Sequence, residues 1–227
     1  MKKFVVISAI ALACMSISSP AYSMPIGQEP TASEADVARQ LHLAEVVQKY
    51  GGKQGLFLVD GSVADFKTGE SEIYVTFDWD KALDAAAAAA EYAGKEAKET
   101  KVPVEQCMAE YNTKFVGYFN AHCKNVKMVT EADNNAKYRM NVCPATYYYT
   151  QGGVLLGGKT TVMVSGLIYI TEKATGAQVA ELYFNRMWTI KSDLGKAGES
   201  KSNTLKTWRA AAEQVDDDLI KMFKKGK

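Results

Sequence analysis

The chain has little of what common enzyme and membrane signatures require. Only two histidines and four cysteines occur in 227 residues, and no C-x-x-C, H-E-x-x-H or G-x-S-x-G spacing is present. The usual short metal and nucleophile motifs are therefore excluded. Charge of one sign is also lacking. Lys+Arg 27 against Asp+Glu 26 leaves a net +1, too little for a long-range field toward nucleic acid. Beyond the first residues no apolar run is long enough for a membrane helix. What is present is ordinary globular composition, 47% apolar and 23% charged, which rules out disorder and collagen-like repeats. The length suits one domain with a real core, or two small ones.

Lys2 and Lys3 followed by the apolar stretch Phe4 to Ala13 have the form of a secretory leader, too short to span a bilayer. Ala21 and Ser23 give a small-x-small cleavage site before Met24, so residues 1–23 are expected to be removed. Cleavage takes away two lysines and no acid, which turns the balance slightly negative. Ala11-Leu12-Ala13-Cys14 also resembles a bacterial lipobox, although Ala11 stands where that pattern has leucine; Cys14 would then be lipidated. In an oxidising compartment the remaining Cys107, Cys123 and Cys143 are an odd set. Cys107 and Cys123 fall on one expected helix, about 24 Å apart at 1.5 Å per residue, beyond disulfide reach. A disulfide would have to use Cys143, with Cys123 at the helix end as its partner. The alternative is three buried thiols.

Residues 24–32 carry two prolines and a glycine and read as a tether, leaving 33–227 as a single domain. Ser33 and Asp36 have capping-box spacing, and Val37, Leu41, Ala44 and Val47 recur at helical spacing before Gly51 and Gly52. Strands are expected at Leu56–Val63 and at Ile73–Trp79, the second alternating apolar and polar residues. Six alanines, Ala85 to Ala90, lie in an expected helix over about 81–98 that has little to bury and should be peripheral. Pro103 can open a helix whose Val104, Met108, Tyr111, Phe115 and Phe119 share a face. Strands follow around 126–130, 138–149, 162–170 and 180–190, with a turn at Thr175-Gly176. A last helix carries Leu205, Trp208, Ala212, Val215, Leu219 and Met222 as its apolar stripe. This order predicts an α+β fold: a mainly antiparallel sheet with helices packed on one face, plus the peripheral alanine-rich helix.

Gly153 to Thr160 fits G-x-x-x-x-G-K-[ST], and Leu56–Asp60 looks like an apolar strand ending in a magnesium-holding acid. A phosphate loop must open a helix, but the residues after Thr160 alternate and are β-branched, so they form a strand. The pattern is read as a glycine-rich hairpin loop, with Leu155 and Leu156 as candidate contacts. His42 and His122 lie on different helices, and His122 and Cys123 point about 100° apart, so no metal site is expected. Asp80 reads as a helix cap, and Asp216 to Asp218 as the solvated side of the last helix. The run Tyr147, Tyr148, Tyr149 is the main binding candidate, because tyrosine joins an apolar body to a polar tip; the competing reading packs these rings under the helices.

The succession Phe115–Asn120, Val126–Val129, Ala136–Val142, a glycine-rich stretch, Val162–Ile170 and Glu172-Lys173-Ala174-Thr175-Gly176 resembles bacterial envelope α/β domains related to the TolB amino-terminal domain and the curli-assembly lipoprotein. It covers about residues 102–225. The resemblance implies an accessory or assembly role with binding through a sheet edge or loops, and it supplies no catalytic residues. The expectation is therefore an exported protein of the periplasm or cell envelope, non-enzymatic and without a cofactor. Its partner would be another envelope protein or a second copy, with no nucleic acid, and a membrane only if Cys14 is lipidated. A small-ligand or lipid-binding role, with a pocket between helix 103–123 and the tyrosine strand, is the alternative; a hydrolase stands third.

Overall fold

A computed structural model of the chain describes residues 34–50, 53–67, 71–79, 102–132, 135–151, 159–191 and 200–225. The leader, the tether, Ser33, the alanine-rich segment and the loop with Leu155 and Leu156 lie outside these residues.

The elements follow the expected order. They are α1 (Glu34–Tyr50), β1 (Gly55–Gly61), a 3-10 turn (Ala64–Lys67), β2 (Ser71–Phe77), α2 (Val104–His122), β3 (Val126–Val129), β4 (Tyr138–Gln151), β5 (Lys159–Glu172), β6 (Gln178–Lys191) and α3 (Ser200–Lys225). All described strands join one six-stranded sheet in the order β1-β6-β5-β4-β2-β3. The β4-β5-β6 meander and the β1–β6 pair are antiparallel, but β2 runs parallel to both β3 and β4. The sheet is therefore mixed rather than purely antiparallel. The reason is topological: β2 and β4 are separated by the α2 crossover, and a crossover through a helix returns the chain parallel.

Each strand of the meander is 14 residues long. β2 reaches only Val142 on β4, and β1 only Asn185 on β6. The far ends of β4, β5 and β6 consequently extend past both short neighbours as a three-stranded ribbon. A register shift between Pro144 and Thr146 marks where it begins. Pro144 has no N–H to donate, and it lies beyond the last residue that pairs with β2. Opposite it stands Gly166, where a Cβ would come within 2.3 Å of the Cys143 carbonyl oxygen. The 172–176 turn closes as expected: Gly176 adopts φ 72° and its N–H donates to the Glu172 carbonyl, while the Thr175 hydroxyl donates to the Glu172 carboxylate at 2.8 Å.

The helices do not share one face of the sheet. α2 and α3 cover one side, over Ile73, Val75, Met140, Val142, Ile168, Ile170, Leu182 and Phe184. Both bury aromatic rings there. Tyr111, Phe115 and Phe223 meet Trp79, Phe77 and Phe66 edge-to-face or stacked, Phe119 meets Phe223 edge-to-face, and Trp208 lies tilted against Trp79. Along their outer seam runs a ladder with a step of four residues on each helix. Arg209 pairs with Glu110 at 2.7 Å, Lys114 with Glu213 at 2.7 Å, and the Tyr118 hydroxyl donates to Asp217 at 2.9 Å. Numbers rising together on both helices mean that α2 and α3 run parallel. α1 packs on the opposite side, where Leu43 and Val46 meet Ala145, Leu167 and Tyr183. The pleat makes this two-sided arrangement necessary. On β1, β5 and β6 the residues between the main-core positions are themselves apolar (Phe57, Val59, Leu167, Tyr183), so both faces need cover.

Candidate functional site

Of the binding candidates singled out from the sequence, Leu155 and Leu156 lie outside the described residues, and of the tyrosine run only the backbone is described. Tyr147, Tyr148 and Tyr149 lie on the projecting ribbon, where the backbone register sets them opposite Val164, Met163 and Val162. Lys159 and Thr160 open β5, so the phosphate-loop pattern does run into a strand. Its two halves are also far apart. Asp60 pairs with Glu181, which pairs with Tyr169 on β5, while Lys159 is ten strand residues away, about 33 Å.

Cys107, Cys123 and Cys143 are buried and none is in a disulfide. The Cys123–Cys143 pairing weighed from the sequence does not form. Cys123 sits in the core under α2. Cys143 is paired in register with Leu167 on the α1 side, with the sheet between the two thiols. His122 stacks on Tyr118 at 4.1 Å, and His42 sits on the other face of the sheet. Among the described residues no group of three or more His, Cys, Asp or Glu side chains is placed to hold a metal ion. Beneath α2, Tyr111, Phe115 and Phe119 are fully buried and touch neighbouring rings, while the side chains of the tyrosine strand, the other wall of the expected pocket, lie outside the described residues.

The acidic run of α3 is not a solvated face. Asp216 is fully buried and neither of its carboxylate oxygens has a hydrogen-bond partner. Asp217 accepts from Tyr118 and Asp218 pairs with Arg186. Asp216 falls two helical steps of four after Trp208, on the buried stripe, so its position was readable from spacing. Burial pushes its carboxyl well above the usual carboxylate range, and the charges of Asp217 and Glu213 add to that while Lys114 opposes it. Burial likewise raises the nearby Tyr111 phenol, whose hydroxyl also has no partner.

The feature that stands apart is α1. Its inner side is anchored by Leu43, Val46 and Tyr50. The Tyr50 ring stacks on Phe57 at 5.1 Å and lies 6.3 Å from Tyr183. A polar cluster flanks this anchor. His42 Nε2 lies 2.6 Å from Glu181 Oε1, and Glu181 is buried in the sheet face. Tyr169 is pushed up to about 12, first by burial and then by the Glu181 charge, with Arg39 opposing. The side of α1 turned away from the sheet is apolar as well. Val37, Leu41 and Val47 are 45%, 64% and 38% exposed, and among the described residues these are the exposed large hydrophobic side chains. The sequence expectation placed Val37, Leu41, Ala44 and Val47 on the inward stripe. The structure inverts it: Leu43, Val46 and Tyr50, at spacings of three and four, form a second stripe that faces the sheet. With two apolar stripes on one helix, spacing alone does not say which is inside.

No protein-family model matches the chain, and no curated protein matches it. Among solved structures it is similar to a minor lipoprotein from Acinetobacter baumannii at 9% identity, over 68% of this chain and 91% of that one, with a TM-score of 0.38. It is similar to the PelC dodecamer from Paraburkholderia phytofirmans at 16% identity, over 71% and 97%, with a TM-score of 0.34. It is also similar to lipoprotein B from Nitrosomonas europaea at 11% identity, over 73% and 88%, with a TM-score of 0.35. These solved structures include bacterial lipoproteins, all at low identity.

Proposed function

We propose that the chain is an exported cell-envelope protein with a non-enzymatic binding role, and that the outer stripe of α1 is its docking face. The observation that carries this is the confinement of Val37, Leu41 and Val47 to one side of one helix. Scattered exposed apolar residues are ordinary, whereas a stripe of them on a helix of otherwise mixed polarity is the form taken by helix-docking surfaces. Export is supported by the Lys2-Lys3 start, the apolar stretch and the Ala21/Ser23 cleavage pattern.

Two experiments test the reading. Fractionation of cells carrying the tagged chain, with mass spectrometry of its amino terminus, should find it outside the cytosol and beginning at Met24 or at a modified Cys14; an intact leader in the cytosol ends the export claim. Affinity capture from envelope extract, comparing wild type with Leu41→Glu, should lose its specific protein band in the variant. Capture unaffected by Leu41→Glu removes α1 as the docking face.

A further inference from the structure

We infer that the end of the molecule at the 172–176 turn is a cationic surface that seats on an anionic phospholipid membrane. The inference rests on the export reading above, which brings the chain to an envelope membrane, and not on the α1 docking face. Several elements meet at this end. β2 and β3 start there side by side, with Ser71 opposite Val126, and β4 starts opposite Glu172, the last residue of β5. α2 ends just before β3, and α3 ends beside it, where Lys224 Nζ donates to the His122 carbonyl at 3.3 Å. Lys124, Lys127, Lys137, Lys173 and Lys224 are exposed here, and Lys67 is half-buried. The carboxylates among them are Asp65, Glu72 and Glu172; Glu131 follows the far end of β3. Glu72 meets Lys127 at 3.7 Å and Glu172 meets Lys137 at 3.9 Å, yet these two lysine side chains stay 67% and 64% exposed. α2 starts at the opposite end with Glu105 in its first turn. The whole chain is nearly balanced, so the lysines at this end are a segregated charge and not general basicity.

Helix C-termini favour lysine, which accounts for Lys124 and Lys224. Lys127, Lys137 and Lys173 stand instead on strand ends and a turn. Lys137 and Lys173 are neighbours, the Lys173 N–H donating to the Lys137 carbonyl at 2.8 Å. Lys137 lies over the Tyr138 ring at 4.9 Å and Lys173 over the Tyr74 ring at 5.5 Å, which positions each charge without neutralising it. Like charges side by side on a sheet cost stability, and an anionic surface outside offsets that cost. The chain before α1 fits the same occupant. Residues 15–33 reach about 60 Å when extended, enough for a lipidated Cys14 to leave the cationic end free to turn onto the same membrane. One lipid chain alone holds a protein only marginally, and a basic surface supplies the second signal.

The test spins the purified chain, without lipid on its amino terminus, with vesicles of phosphatidylcholine alone or mixed with phosphatidylglycerol. The chain should sediment with the mixed vesicles and not with phosphatidylcholine, and added salt should release it. Each lysine near such a surface is worth about fivefold in affinity, so Lys137→Gln with Lys173→Gln should weaken binding about 25-fold. Circular dichroism should not change, since both side chains are exposed. Lys49→Gln with Lys53→Gln removes the same charge at the carboxyl end of α1 and should leave binding as it was. No sedimentation with the mixed vesicles overturns the inference, and so does equal binding to both kinds. A loss with the Lys49/Lys53 pair as large as with the Lys137/Lys173 pair also overturns it, because net charge would then suffice. Binding lost with Leu41→Ala does the same, placing the contact on α1. A chain that ignores vesicles but is held through Lys137 and Lys173 on an immobilised acidic polysaccharide overturns the lipid surface as the occupant. The readings above fail separately: export by an intact leader in the cytosol, and the α1 docking face by capture that survives Leu41→Glu.

Discussion

The two faces of the sheet are covered by different physics. On one side two parallel helices seal a continuous core of large aromatic and aliphatic side chains, most of them fully buried. On the other, among the described residues, α1 sets Leu43 and Val46 against Ala145, Leu167 and Tyr183 beside a ring stack, with the His42–Glu181 contact at its border. Burial scales with apolar area, so the first face carries the stability of the domain and the second is the weaker cover. The weaker cover is also the one with apolar residues turned outward. α1 divides its apolar residues between two sides, Leu43 and Val46 toward the sheet and Val37, Leu41 and Val47 away from it.

The largest test of that contrast is truncation in the sealed core. Phe119 is fully buried and meets Phe223 edge-to-face at 5.9 Å. Phe119→Ala should cost about 3–5 kcal/mol in a two-state denaturant titration, and the whole sheet should lose protection together. Leu43→Ala on the other face should cost less, about 2 kcal/mol, and the loss should be local. In hydrogen exchange the amides of α1 would open while those of β5 and the two sealing helices keep their protection. If Leu43→Ala unfolds the domain as a unit, the two faces are one cooperative body and the contrast fails.

Asp216 is the flaw in the sealed face, and it is expected to oppose stability at neutral pH. Its carboxyl is raised well above the usual range by burial. The folded state therefore keeps a proton that the unfolded state has released. Its stability is fully present below the ordinary carboxylate value and declines as pH rises from there toward the folded value. Asp216→Asn keeps the shape and removes the charge. It should raise stability at pH 7 by about 1 kcal/mol and flatten the decline above about pH 4, read from thermal melts across pH. A variant less stable than wild type at pH 7 would mean that the ionised carboxylate has a compensating partner.

Much of this was legible in the sequence, and the exceptions have definite causes. Strand alternation, the helix-opening Pro103, the Thr175-Gly176 turn and the strand after Lys159 all follow from local spacing. The parallel placement of β2 does not, because it depends on where the α2 crossover lands, a contact between residues far apart in the chain. The orientation of α1 fails for another reason. Val37/Leu41 and Leu43/Val46 are equally good helical stripes, and the choice between them is made by Phe57, Leu167 and Tyr183 across the sheet. Asp216 was misread because an acid at the head of an acidic run looks solvated, although its step from Trp208 put it inside. The outer stripe of α1 was visible as a pattern, with its inside and outside exchanged.

The smallest expected effect concerns the ladder between α2 and α3, and it separates register from stability. Arg209 is exposed and Glu110 part-exposed, and the hydrogen bond from Arg209, together with its charge, holds the Glu110 carboxyl below its ordinary value while slight burial opposes it. A lowered carboxylate stabilises the fold above the ordinary range and loses that contribution as pH falls through the folded value. Solvent screening limits the pair to about 0.2–0.5 kcal/mol. Arg209→Ala should therefore shift the denaturation midpoint at pH 7 barely measurably, and the difference from wild type should vanish in acid. A loss near 2 kcal/mol would show that the seam, rather than the aromatic core beneath it, holds the two helices together. The distinction between the faces would then lie in their polar edges rather than in buried area.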